Sequence, residues 1–69
     1  MPNFNRKALR KLIVESGNSV RSFAKLINVG YRTVYYWLSG EKTPYPKNIT
    51  AICEKFNMNE SELYEGADL

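Results

Sequence analysis

The sequence predicts an all-α domain, and three observations carry that expectation. Apolar residues recur at helical spacing in four separate stretches, and valine and isoleucine nowhere alternate as they would in a strand. Residues that start and stop helices bracket the stretches. The chain has 69 residues, one cysteine and no histidine, so it holds one small core that neither a disulfide nor a zinc site can staple. The expected architecture is five helices in one domain spanning residues 1–69.

The first stripe is Leu9, Leu12 and Ile13. Asn5 is placed to cap that helix, Phe4 to pack on Leu9, and Gly17 to end it. Val20, Phe23, Ala24 and Ile27 form the second stripe, on a helix of about two turns capped by Ser19 or Asn18. Val34, Trp37 and Leu38 form the third, with Gly30 at the cap, Val29 placed to staple onto Val34, and Gly40 as the stop. Ile49, Ile52, Cys53 and Phe56 form the fourth, and Pro46 suits its first turn, where a missing N–H costs nothing. Cys53 lies inside this stripe, which makes it a buried small hydrophobe rather than a reactive thiol. A short fifth helix should start at Asn59, because Asn59 and Glu62 have capping-box spacing and Met58 and Leu63 have that of a hydrophobic staple.

Charge is distributed unevenly. Residues 1–50 carry nine of the ten basic residues against Glu15 and Glu41. Residues 51–69 carry Lys55 against Glu54, Glu60, Glu62, Glu65 and Asp68. A basic body suits a polyanion, and an acidic segment at 59–69 should point away from it. Residues 1–10 have no apolar core of a secretory signal, and no run approaches the roughly 20 apolar residues of a membrane span. A reducing cytoplasm is the expected location. No histidine, paired carboxylates, glycine-rich phosphate loop or activated nucleophile points to an enzyme, a metal, a cofactor or a small-molecule substrate.

The informative stretch is residues 19–40, SVRSFAKLINVGYRTVYYWLSG. Two short helices are joined by a tight connection at Ile27–Gly30. Small Ala24 lets them approach, and Ile27, Val29 and Val34 fill the wedge between them. One face of the second helix of the pair is left exposed, as in a helix-turn-helix reader occupying about residues 19–39. From Phe23 and Ala24 through Val29, Thr33, Val34, Trp37, Leu38 and Gly40 to Pro44, the pattern resembles the Cro/repressor (lambda repressor-like, XRE) family of phage and bacterial regulators. Residues 48–63 are similar to that family's last two helices. The resemblance implies a five-helix fold whose third helix lies in the major groove. Two positions depart from it. Val20 stands where the family commonly has a phosphate-contacting glutamine. Ile13 and Leu38 stand where it often pairs an arginine with a glutamate, so an ionic link has become an apolar one that carries no desolvation cost.

The resemblance implies that bases are read from Tyr31, Arg32 and Tyr36, with Tyr35 and Thr33 at the edges. Arg32 can bond O6 and N7 of guanine together; its alternative is a phosphate contact. The tyrosines can touch a thymine methyl or a phosphate, or form a protein surface, where tyrosine is enriched. Backbone contacts are expected from Ser19, Arg21, Ser22, Thr33, Lys42, Thr43 and Tyr45. About half of the remaining cations, Lys25 and the set Arg6, Lys7, Arg10 and Lys11, should join them and the others be plainly solvated. Met58, Leu63, Tyr64 and Leu69 supply apolar surface for a homodimer or a partner repressor. The expectation is thus a transcriptional regulator that occupies an operator in double-stranded DNA. The alternative is a small regulator acting through a protein partner, as a modulator of a repressor or an antitoxin.

Overall fold

The computed structural model describes residues 3–65. Four α-helices follow one another: α1 (Arg6–Glu15), α2 (Val20–Leu26), α3 (Tyr31–Ser39) and α4 (Pro46–Phe56). After α4 comes a single 3-10 turn, Glu60–Leu63. The all-α architecture matches the apolar periodicity, whereas the fifth helix is shorter and tighter than expected. Its start follows the capping signal, with the Asn59 N–H donating to the Glu62 carboxylate at 2.8 Å. It cannot run on, because the Leu63 carbonyl accepts from the Asn5 N–H at 2.8 Å and Tyr64 turns extended to pair antiparallel with Phe4. Glu65 then donates to the Asn3 carbonyl at 2.7 Å.

The caps behave as their residue types dictate. Asn5 accepts from the Ala8 N–H at 3.1 Å, and Gly17 takes the left-handed conformation just past α1. Ser19 caps α2 by accepting from the Ser22 N–H at 3.1 Å, while Ser22 Oγ accepts from the Ser19 N–H at 2.9 Å. Pro46 occupies the first turn of α4. Two left-handed residues are asparagines, Asn28 between α2 and α3 and Asn57 at the end of α4. Asparagine is the non-glycine residue that tolerates this region best.

The buried set is Phe4, Leu9, Ile13, Phe23, Ala24, Ile27, Val34, Trp37, Ile49, Ile52, Cys53 and Leu63. Every helical stripe contributes to it. The Phe23 ring stacks on Phe56 with centroids 5.4 Å apart, tying α2 to α4. Ile13 and half-buried Leu38 both pack in this core, as their apolar character requires. Burial pushes the Cys53 thiol above its ordinary value, and the Glu60 and Glu62 carboxylates add to that effect, so the reactive thiolate is disfavoured. Among the described residues no helix is long and apolar enough to cross a membrane.

The end of α3 is fixed from an unexpected direction. Arg6, grouped with the candidate phosphate contacts in the sequence, instead donates from Nη1 to the Ser39 carbonyl at 2.7 Å. A cation there satisfies a carbonyl at a helix end and sits at the negative end of the helix dipole. Gly40 ends α3 at φ +87°, and a Cβ on it would lie 2.8 Å from Arg6 Nη1. Gly40→Ala therefore combines left-handed strain with displacement of Arg6, and should cost about 1–2 kcal/mol. A thermal melt followed by circular dichroism should show Tm falling by roughly 4–8 °C per kcal/mol. An unchanged Tm would mean that this corner relaxes freely.

Candidate nucleic-acid interface

The exposed face of α3 is built by what the buried face takes. Val34 and Trp37 point into the core and Leu38 is half-buried, so the residues between them must look outward. Ala24 is buried in α2, and its carbonyl accepts from the Val29 N–H at 3.0 Å, which folds the connection back on α2. Asn28 supplies the left-handed residue that this turn requires. The result is an outward row of Arg32, Tyr35, Tyr36 and Ser39, with Tyr31 and Thr33 half-buried at its margins.

Arg32 is exposed, and among the described residues no hydrogen-bond or aromatic partner holds its guanidinium. Tyr35 is 53 % exposed and Tyr36 38 %. Tyr31 packs against the core and meets the Tyr35 ring edge-on, with centroids 6.2 Å apart. The Arg21 guanidinium of α2 lies 4.3 Å from the centroid of the Tyr31 ring. On the other flank Lys42 Nζ lies 4.8 Å from the centroid of the Tyr36 ring. Arg21, Arg32 and Lys42 thus share the neighbourhood of α3, with Glu41 the acid in the following loop.

The loop after α3 is anchored by buried Pro44, which leaves Lys42, Thr43 and Tyr45 exposed around it. Thr33, Tyr36, Lys42, Thr43 and Tyr45 line one recess of about 570 Å³ between α3 and the start of α4. The two serines have less freedom. Ser22 is half-buried, and its hydroxyl donates to Asn18 Oδ1 at 2.8 Å, so it is committed to its own cap, while Ser19 is exposed. Lys7, Arg10, Lys11 and Lys25 are exposed on α1 and α2.

The surface expected to bind a second protein is redistributed. Leu63 is fully buried and belongs to the core, and Leu69 and Asp68 lie outside the described residues. Met58 and Tyr64 are half-buried and line a separate recess with Leu12 and Phe56. Among the described residues no group of histidine, cysteine and carboxylate side chains is placed to hold a metal ion.

Sequence reasoning missed what Arg6 does, because its partner lies 33 residues away and no local spacing encodes it. The pairings of Arg21 with Tyr31 and Lys42 with Tyr36 were also missed. Their signal was available in part, since each joins a cation to an aromatic residue across one short connection.

Residues 7–63 match the family model described as helix-turn-helix. The fold is similar to the crystal structure of a transcriptional regulator from Listeria innocua, with a TM-score of 0.77 and 32 % identity over 86 % of this chain. The chain spans 55 % of that protein's length. No curated protein matches it.

Proposed function

Because this chain belongs to the helix-turn-helix family, we propose that it is one DNA-binding domain of a transcriptional regulator, Cro-like or repressor-like, phage or bacterial, which reads double-stranded DNA from the exposed face of α3. The observation that carries this reading is Arg32, exposed on that face and unpartnered among the described residues, flanked by Arg21 on α2 and Lys42 in the following loop. In this reading α3 enters the major groove and Arg32 donates two hydrogen bonds to a guanine. Arg21, Lys42, Thr43 and Tyr45 contact phosphates, which fixes the register of the helix without carrying sequence information. The role is binding and not catalysis: occupying an operator in the cytoplasm changes access for the polymerase. A dimer would place its half-sites about one helical turn apart. Its contact would use Met58 and Tyr64 but not buried Leu63.

Selection of random duplexes by the purified protein tests the reading. A defined motif should be enriched, and the logarithm of affinity for it should fall by about 0.9 per neutralised phosphate for each tenfold rise in salt. If no motif emerges even at low salt, the reading fails. Tyr31, Tyr35 and Tyr36 of α3 and the acidic segment after α4 would then be the contact surface for a protein partner, such as another repressor or a toxin.

A further inference from the structure

Tyr31, Arg32 and Tyr36, expected at the bases, and Tyr35, expected at their edge, do not stand in equivalent environments, and their differences divide the work among them. Tyr31 opens α3, packs against the core and carries the Arg21 guanidinium 4.3 Å from its ring centroid. A ring held in this way presents little free surface to a base. Tyr36 is tied to Lys42 twice. Its carbonyl accepts the Lys42 N–H at 3.3 Å, and its ring lies 4.8 Å from Lys42 Nζ. The same carbonyl accepts from the Gly40 N–H and the Ser39 hydroxyl, both at 3.1 Å, so the start of the loop is gathered onto one residue. Arg32 and Tyr35 have no such duty. Arg32 has no partner among the described residues, and Tyr35 is half exposed with one edge contact.

We infer that Tyr31 and Tyr36 are positioning residues, which hold the Arg21 and Lys42 cations at the two edges of α3 and leave Arg32 and Tyr35 to set the sequence preference. The inference rests on the DNA reading proposed above. Its physical basis is the ring quadrupole, which attracts a cation within about 6 Å of the centroid. A cation resting on a ring face keeps donors free on its far side for a phosphate. A long exposed side chain otherwise loses rotamer freedom when it meets the backbone of DNA. A ring beneath it removes part of that loss beforehand.

The test is duplex selection and affinity measurement with full-length Tyr31→Leu, Tyr36→Leu and the ring-preserving Tyr31→Phe and Tyr36→Phe. The leucine variants should select the wild-type motif at every position. They should bind specific and non-specific duplexes more weakly by about the same factor, two- to five-fold. The phenylalanine variants should bind like wild type. Lys42→Ala should cost affinity in the wild-type background and markedly less in Tyr36→Leu, and Arg21→Gln should behave in the same way against Tyr31→Leu. Because Tyr36 and Lys42 are both exposed, their cycle remains readable even if the Tyr31→Leu variant folds poorly. A leucine variant that changes the motif at one position, or effects that simply add in both pairs, would overturn the inference. If the wild-type protein selects no motif at all, the DNA reading itself fails and takes this inference with it.

Discussion

A Trp37→Ala variant should be largely unfolded at room temperature. Trp37 is the largest of the fully buried side chains, at 2 % exposure, and it sits on the inner face of α3 among residues from several helices. Replacing a buried tryptophan with alanine costs about 3–5 kcal/mol, from lost transfer free energy and from the cavity left behind. A core in a chain of this size rarely supplies more than about 3–5 kcal/mol of net stability. The two figures are comparable, so the substitution removes most or all of the margin. Far-ultraviolet circular dichroism with a urea titration measures it directly. A cooperative transition with a midpoint close to wild type would show that the pocket collapses around the smaller side chain. The same residue is on the reverse side of the proposed reading face, so loss of DNA binding by this variant would say nothing about recognition.

Arg32→Ala should have the opposite profile. Its side chain is exposed, and among the described residues it holds nothing in place, so Tm should stay where it is. In the proposed reading, the variant loses about 1–3 kcal/mol of discrimination at one guanine, roughly 5- to 150-fold between that base and its alternatives. The rest of the selected motif should persist. Position-by-position binding to single-base variants of the site resolves this. A loss spread evenly over all duplexes, with a shallower salt dependence, would instead assign Arg32 to a phosphate.

Much of the fold was legible because helix signals are local. Asn5, Ser19, Gly30, Gly40 and Pro46 act within a few residues of where they stand, and the structure uses each at a helix boundary. The stripes through Leu9, Phe23, Trp37 and Ile52 gave the inner faces for the same reason. What could not be read was decided across the molecule. The 3-10 turn stops at Leu63 because Asn5 claims its carbonyl, 58 residues earlier in the chain. Leu63 looked like surface for a partner because its staple spacing is silent on what lies opposite it. α1 and α4 supply that cover here. At the candidate site, the sequence marked the outward row of α3 from the inward positions of Val34 and Trp37. It set Tyr31 and Tyr36 at the bases and Tyr35 at the edge, and the inferred roles run the other way, because that difference depends on where Arg21 and Lys42 come to rest.

The pairing of Phe4 with Tyr64 also sets the order in which this protein can acquire its shape during synthesis. Leu9 at the beginning and Leu63 at the end are buried in one cluster, and the Asn5–Leu63 hydrogen bond joins the two regions. A growing chain can form transient helices as they leave the ribosome, since those contacts are local. It cannot close the core until Leu63 has cleared the exit tunnel. Until then the faces of α1 and α4 that the last turn packs on stay uncovered, and that interval is when a chaperone or an aggregating neighbour would find the nascent domain.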